Sequence, residues 1–176
     1  MIFQPSPLAG AFVVELERRE DERGFFARSF CQDEFAKHGL NPRLVQCNVS
    51  FNTRRGTLRG MHYQAKPHEE AKVVRCTQGA VWDVMVDLRP ESATFKRWQG
   101  VELSAANRRA LYIPEGLAHG FQTLADDAEL LYLMSEFYHP ESARGVRWDD
   151  PAFRIEWPLQ DPHMSERDRT YPLFSG

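Results

Sequence analysis

The stretch TLRGMHYQAKPHEEAK, residues 57–72, decides how the chain is expected to fold. Two hydrophobic runs flank it: VQCNVSFN at residues 45–52, and KVVRCTQGAVWDVMVDLR at residues 72–89. Both runs are rich in β-branched and aromatic residues, and neither has the period of a helix, so we predict strands on both sides. The longer run is expected to form a hairpin that turns at Gln78-Gly79.

The run at residues 45–52 alternates between polar and hydrophobic side chains, and a strand points successive side chains to opposite faces. One face is polar and comprises Gln46, Asn48 and Ser50. The other is hydrophobic and comprises Val45, Cys47, Val49 and Phe51. We expect the hydrophobic face to pack in the core, while the polar face either meets water or lines a wet cavity.

The rest of the chain is also predicted to be mostly short strands separated by turn residues. These strands are expected at residues 8–16, 25–30, 95–103, 109–113, 120–124 and 130–137. One short helix is predicted at residues 32–39, where Gly39 would end it, and at most one more near residues 149–153. Short strands at steady spacing favour an all-β sandwich or barrel, of which the double-sheet jelly roll is one form.

Length and composition limit the class of protein. The 176 residues fit one domain, predicted to span residues 1–176, and 42% of them are hydrophobic, which is enough for a sizeable core. A net charge of −3 gives no indication of a nucleic-acid surface. We find neither a bilayer-spanning apolar segment nor a signal-peptide pattern. Three cysteines without CxxC spacing argue against a disulfide framework or a zinc site, so we expect a cytoplasmic protein. Together with the charge and the lack of an apolar segment, this predicts no membrane or nucleic-acid partner.

His62 is the first candidate for chemistry in the central stretch. A histidine has an ordinary pKa of ~6.5, so it can take up a proton near neutral pH. A catalytic histidine needs an orienting partner, usually a carboxylate. Asp83, Asp87 and Asp168 are all candidates for that partner, and the residues alone do not choose among them.

Three cations are candidates for binding negative charge. Lys72 would stabilise a developing oxyanion, although a lysine taken at random is more often a solvated surface residue. Arg59 and Arg23 would each bind a phosphate through the forked guanidinium group. The alternative for both arginines is a weak surface ion pair with a neighbouring acid.

His119 lies where Pro114, Gly116 and Gly120 predict a tight path that presents it between strands. Two histidines on separate strands raise the question of a metal. Metal-binding cupins usually carry an HxH pair, whereas the second position after His62 is Gln64. We therefore expect no metal, and we favour proton chemistry.

The aromatic candidates have a structural alternative in each case. Tyr132 would be an acid catalyst only if it faced His62 across a cavity, since a strand tyrosine more often packs in a core or an interface. Tyr138 and Phe26 would stack on a nucleotide base, and core packing is at least as common for either.

Nine motifs, in order along nearly the whole chain, resemble the dTDP-4-dehydrorhamnose 3,5-epimerase family (RmlC type). They are DERGFF (21–26), QCNVS (46–50), LRGMHYQ (58–64), AKVVRCTQG (71–79), DVMVDLR (83–89), IPEGLAHGF (113–121), LYLMSEFYHPE (131–141), GVRWDDP (145–151) and SERD (165–168). Each motif alone is a weak signal, but nine in the same order are highly specific.

The resemblance implies an all-β, cupin-type double-stranded β-helix, or jelly roll, that forms a homodimer. It implies a nucleotide-sugar substrate and a metal-free, cofactor-free reaction that inverts C3 and C5 of a nucleotide-linked 4-keto-6-deoxyhexose. By resemblance, His62 is the general base, Asp168 its carboxylate partner, Tyr132 the acid on the opposite face, and Lys72 the cation near the C4 oxygen.

The resemblance also assigns substrate-binding residues. His119 and Asp83 match pocket residues, and Arg59, Gln46 and Asn48 match contacts to the nucleotide. Arg23 and Phe26 match contacts made from the N-terminal segment of the partner subunit, and Tyr138 matches an aromatic residue that packs on the base.

Two positions depart from the family pattern: Arg28 stands where a Glu is usual, and Leu133 stands where a Lys is usual. Three alternatives therefore stay open beside the double epimerase. One is a mono-epimerase or ketoisomerase on a related nucleotide 4-keto sugar. Another is a non-catalytic sugar-nucleotide-binding cupin, although His62, Tyr132 and Asp168 are all retained. The third is a metal-dependent cupin dioxygenase, which would contain bound metal.

Overall fold

A computed structural model describes residues 1–175, and its regular structure is almost entirely antiparallel strand. Six strands form one sheet, in the order β1 (Ile2–Pro5), β2 (Phe12–Glu15), β10 (Ala110–Ile113), β7 (Lys72–Gln78), β12 (Ala128–Met134) and β5 (Gln46–Asn52). Five form a second sheet, in the order β13 (Ala143–Gly145), β6 (Leu58–Gln64), β11 (Leu117–Thr123), β8 (Ala80–Asp87) and β9 (Trp98–Ser104). The predicted domain runs on to Gly176, which lies outside the described residues.

A two-stranded hairpin and two short helices complete the fold. The strands β3 (Arg19–Asp21) and β4 (Gly24–Phe26) pair as a separate hairpin. The helix α1 (Gln32–Lys37) confirms the predicted short helix, and the backbone leaves it at Gly39 with φ +69°. The helix α2 (Glu166–Arg169) begins after Ser165, whose hydroxyl accepts a hydrogen bond from the Asp168 amide and so caps the helix.

The two large sheets face each other across a hydrophobic core, as in a double-sheet jelly roll. Leu111 and Leu130 from the six-stranded sheet and Met85 and Phe121 from the five-stranded sheet belong to one buried cluster. A second cluster lies on the outer face of the five-stranded sheet, where the C-terminal segment covers it, Trp157 included. This covering segment also brings α2, and with it Asp168, against β6.

The predicted hairpin at Gln78-Gly79 is wrong. β7 and β8 do follow each other there, but β7 pairs with β10 and β12, whereas β8 pairs with β9 and β11. Gly79, with φ +72°, therefore turns the chain from one sheet into the other. Neighbouring strand signals in a sequence do not reveal whether two strands share a sheet.

The predicted burial of the hydrophobic face of β5 is also wrong. Cys47 is exposed, and 62% of Val49 and 48% of Phe51 is accessible to solvent. This face points outward because the opposite face of β5 borders a cavity, where the polar Asn48 and Ser50 lie. Of the two alternatives left open for the polar face, water or a wet cavity, the cavity applies to these two residues.

Three smaller expectations also differ from the structure. The strand predicted at residues 25–30 ends at Phe26. Residues 149–153 form turns rather than a helix, and residues 8–16 contain only β2, while the preceding strand β1 was not predicted. Among residues 1–175, no helix has the length and apolar character needed to cross a membrane.

Candidate active site

A cavity of about 300 Å³ opens between the two sheets, a volume within the usual range for small-molecule sites. Its lining combines ionisable and apolar side chains: Asn48, Val49, Ser50, Arg59, His62, Lys72, His119, Phe121, Tyr132 and Met134. Six of the predicted catalytic and binding residues therefore meet at the cavity: Asn48, Arg59, His62, Lys72, His119 and Tyr132.

Strand register explains how these residues meet. In the six-stranded sheet, Tyr132 lies opposite Asn48 on one side and Val74 on the other, so Tyr132 and Asn48 share the inner face. In the five-stranded sheet, His119 lies opposite His62. His119 is thus within β11, rather than between strands as predicted.

Two glycines allow the strands that carry the histidines to come close together. A Cβ on Gly60 would lie 2.5 Å from the Cα of Gly120, and Gly60 has φ +139°. Contacts under 3.0 Å do not occur for a real Cβ, and this φ is open almost only to glycine. The pairing of β6 with β11 is irregular at this point, next to the His62–His119 pair.

Asp168 is the carboxylate partner of His62. The histidine Nε2 lies 2.7 Å from Asp168 Oδ1, across 106 positions of sequence. Burial raises the pKa of the Asp168 carboxyl, but hydrogen bonds and the charge of His62 outweigh burial, and the net pKa is lowered. An ionised carboxylate only accepts hydrogen bonds, so Nε2 of His62 carries a proton, and in the neutral imidazole Nδ1 has the free lone pair of a base.

His119 forms a second pair of the same kind with Asp83, at 2.8 Å between Nε2 and Oδ1. Both side chains are almost completely buried, and Asp83 Oδ2 has no hydrogen-bond partner among the described residues. Burial raises the pKa of Asp83, while the charges of His119 and Lys72 oppose the rise. The pair is therefore a fixed wall of the cavity, whereas the His62 side chain is 42% exposed.

Tyr132 contributes a neutral hydroxyl to the cavity. Burial raises its pKa well above the usual value, the charge of Asp83 adds to the rise, and Arg59 opposes it. The ring also meets His119 edge-on, with centroids 5.9 Å apart. A phenol with a raised pKa stays protonated at neutral pH.

Lys72 is not a solvated surface lysine. Its Nζ donates to the His62 carbonyl at 3.2 Å and forms an ion pair with Glu70 Oε1 at 3.0 Å. The two side chains are only 7% and 9% exposed. Glu70 was missed at the level of sequence, although its position two residues before Lys72 in an extended chain was a signal that the two side chains share a side.

Arg59 is oriented by a second missed residue. Its Nε donates to Asn52 Oδ1 at 2.7 Å, and the buried Asn52 in turn donates to the Ala128 carbonyl at 3.2 Å. Asn52 has the same strand parity as Asn48 and Ser50, which is the pattern that would have identified it. One of the five donors of Arg59 is thereby used, and the guanidinium is fixed at the cavity.

The remaining predicted nucleotide contacts lie beside the cavity. Gln46 Nε2 donates to Asn48 Oδ1 at 3.1 Å, and the backbone amide of Tyr138 donates to Gln46 Oε1 at 3.3 Å. Tyr138 is 56% exposed and borders an adjoining cleft that also contains His62, Glu70 and Arg167.

Arg23 and Phe26 are not brought to this cavity within the chain. They lie on the β3–β4 hairpin, where Phe26 is 76% exposed and Arg23 pairs with Asp21 at 2.6 Å. Arg28, which departs from the family pattern, pairs with Glu34 at 2.7 Å on the surface.

His68, His139 and Glu141 form a separate cluster with one possible metal-ligand atom from each within 4.8 Å. The two imidazoles are stacked, with centroids 3.5 Å apart and planes only 7° from parallel. An imidazole binds a metal through a lone pair in its own ring plane, and parallel planes do not converge on one ion. The rings would have to turn apart to share a metal, so we assign none to this cluster.

Comparison with known proteins identifies the family. The family model for dTDP-4-dehydrorhamnose 3,5-epimerase matches residues 5–176. The enzyme of that name from Shigella flexneri is 50% identical over 149 residues, which are 84% of this chain and 82% of that protein. The chain belongs to the dTDP-4-dehydrorhamnose 3,5-epimerase family.

Membership confirms the predicted enzyme class, an isomerase, and the predicted fold. The crystal structure of the dTDP-4-dehydrorhamnose 3,5-epimerase from Elizabethkingia anophelis matches with a TM-score of 0.96 at 40% identity, over 99% of this chain and 96% of that one. The fold is therefore the cupin-type jelly roll of this epimerase family. A dTDP-4-dehydrorhamnose 3-epimerase from Streptomyces niveus is also similar, at 41% identity over 99% of this chain and 84% of that protein.

Proposed function

We propose that this protein inverts both C3 and C5 of a dTDP-linked 4-keto-6-deoxyhexose by proton transfer through an enolate, without a cofactor. The observation that carries the proposal is the placement of His62, with Asp168 behind it, on one sheet and of Tyr132 on the other, with the cavity between them. Family membership supports the substrate class, since the family is named for a dTDP-sugar.

The chemistry accounts for these residue types. C3 and C5 both flank the C4 ketone, which acidifies their protons, and removal of either proton gives an enolate with its charge on O4. His62 takes the proton from one face, and Tyr132 returns one from the other face, which inverts the carbon. Lys72 donates to O4 and stabilises the enolate as it forms.

The other predicted residues hold the substrate. Arg59, fixed by Asn52, binds the diphosphate as a charged fork. Gln46 and Asn48 contact the nucleotide, and the exposed ring of Tyr138 packs on the base. His119, held by Asp83, bounds the sugar pocket.

A homodimer completes the site in this proposal. The outer face of β5 carries exposed Val49 and Phe51 next to half-buried Leu131 and Leu133 of β12, a hydrophobic surface suited to a second copy. The β3–β4 hairpin would then supply Arg23 and Phe26 to the partner's cavity. A cytoplasmic location and a single domain over residues 1–176 stay predictions.

Inversion at C3 alone is the second candidate, and the similarity to the Streptomyces niveus 3-epimerase is the observation that favours it. Both reactions would use the same base and acid. They differ in whether the sugar can turn so that C5 also lies between His62 and Tyr132.

Product analysis decides between the two. Purified protein is incubated with dTDP-4-keto-6-deoxyglucose, the ketone is reduced with borohydride, and the released 6-deoxyhexoses are identified. Inversion at both carbons yields L-rhamnose and 6-deoxy-L-talose, whereas inversion at C3 alone yields 6-deoxy-D-allose and 6-deoxy-D-gulose. Recovery of only the uninverted sugars, from a folded protein that binds the substrate, would refute both candidates.

A further inference from the structure

We propose that Glu70 is a positioning residue for the epimerase, which holds the Lys72 ammonium charged and aimed into the cavity. The inference rests on the proposed function and adds a residue that the family resemblance did not supply. It starts from the ion pair of 3.0 Å between Glu70 Oε1 and Lys72 Nζ.

Burial makes this pair different from the surface ion pairs of the chain. Both side chains are less than a tenth exposed, whereas Arg23, in its pair with Asp21, is 84% exposed. An ammonium taken out of water loses hydration, and it stays charged in such a place only with a counter-charge and hydrogen-bond acceptors. Glu70 supplies the counter-charge, and the His62 carbonyl is a second acceptor at 3.2 Å.

The two contacts also fix direction. An ammonium has three N–H donors. One points to Glu70 and one to the His62 carbonyl, so the third is left for a ligand in the cavity that Lys72 lines. Because the carbonyl belongs to His62, the cation and the base are held in a set relation to each other.

Glu70 itself does not line that cavity. It borders the adjoining cleft with Tyr138 and Arg167. It therefore acts through Lys72 and has no direct part in the chemistry at O4.

The test compares Glu70→Gln with Glu69→Gln. Glutamine keeps an oxygen acceptor for Lys72 but removes the charge, and Glu69 offers the same change in the same loop without the ion pair to Lys72. Thermal unfolding and dTDP binding establish that both variants are folded. We expect Glu70→Gln to lower kcat by about 10-fold with little change in KM, less than the ~10²–10³ expected when a donor to an oxyanion is removed outright.

The pH profile is the readout that a merely structural role would not change. An ammonium without its counter-charge is less well stabilised, so the alkaline limb of the kcat profile should move to lower pH. The other ionisable groups around Lys72 are unchanged in the variant: His62, Arg59, His119, Tyr132 and Asp83. A Glu70→Asp variant, which restores the charge, should return the limb toward that of the wild type.

A second measurement does not depend on activity. Acetic anhydride acylates only the neutral amine, and mass spectrometry follows the labelling of Lys72 against pH. We expect labelling to begin at lower pH in Glu70→Gln than in the wild type or Glu69→Gln. Equal labelling curves, or a kcat of Glu70→Gln that equals or exceeds that of Glu69→Gln, would overturn the role of Glu70. A wild type without epimerase activity would instead refute the proposed function, and the labelling curves would still decide on Glu70.

Discussion

His62 and His119 lie directly opposite each other on adjacent antiparallel strands, and each is hydrogen-bonded to its own aspartate. The two imidazoles differ in access to a ligand, since the side chain of His62 is 42% exposed and that of His119 only 4%. We therefore infer a division of roles in which His62 exchanges protons with the substrate and His119 shapes the wall behind it.

Replacing Asp168 with Asn should slow the reaction strongly without loss of the fold. The amide keeps the shape of the carboxyl but removes the charge that stabilises the imidazolium and selects the tautomer with a free Nδ1. We expect the rate of solvent deuterium incorporation to fall by ~10²–10⁴. An Asp149→Asn variant, which alters only a surface pair with Arg147, should match the wild type. A rate for Asp168→Asn within a few-fold of the wild type would contradict the role of Asp168.

Replacing Tyr132 with Phe should separate proton exchange from inversion. His62 remains able to remove and return a proton on its own face, so deuterium should still enter the substrate from D2O. No acid is left on the opposite face, so the configuration should not change. Parallel proton NMR and product analysis of one reaction test this, and inverted product at the wild-type rate would exclude Tyr132 as the acid.

Asp87 should make stability depend on pH. Burial alone would raise its pKa, but hydrogen bonds from Arg89, Ser92 and Thr94 outweigh burial and lower the pKa from 3.8 to about 2. A depressed carboxyl pKa stabilises the fold above the unfolded value, and this contribution disappears as the pH falls through the folded value. Asp87→Asn should therefore lower the free energy of unfolding by about 2 kcal/mol at pH 7.

Urea unfolding at neutral and acid pH measures this difference. The difference in free energy of unfolding between the wild type and Asp87→Asn should become smaller as the pH falls from 4 toward 2. Asp149→Asn, an exposed control, should change stability by less than ~1 kcal/mol at any pH. A gap for Asp87→Asn that stays constant with pH would show that its cause is not the ionised carboxylate.

Gly60→Ala should damage the site through the backbone. The new Cβ would lie 2.5 Å from the Cα of Gly120, at a φ of +139° that alanine rarely adopts, so β6 must move away from β11 beside His62. Gly39→Ala is the matched control, because Gly39 also has positive φ but nothing lies within 4 Å of the added carbon. We expect the free energy of unfolding to fall by ~1 kcal/mol in Gly39→Ala and by clearly more in Gly60→Ala. Epimerase activity should be lost only in Gly60→Ala. Equal losses of stability in chemical denaturation would show that crowding is not the cause.

Local patterns predicted the all-β class and the alternation of β5, because both depend on neighbours in sequence. They did not predict that Val49 and Phe51 face outward, since alternation separates two faces without saying which one is covered. Sequence spacing alone could not identify Asp168, rather than Asp83 or Asp87, as the partner of His62. The reason is that α2 reaches β6 only after the C-terminal segment has crossed the second sheet. The family resemblance supplied that partner. It did not supply Glu70 or Asn52, which act through Lys72 and Arg59.

The most direct test of the account is proton NMR in D2O with dTDP-4-keto-6-deoxyglucose, for the wild type, His62→Ala and His38→Ala. His38 stacks on Phe3 beside α1, so its loss is the control for removing an imidazole. We predict that the signals at C3 and C5 both disappear with the wild type and with His38→Ala, and that both persist with His62→Ala. The account would be contradicted if both signals disappeared at the wild-type rate with His62→Ala. It would also be contradicted if a folded wild type bound the sugar nucleotide but showed no exchange.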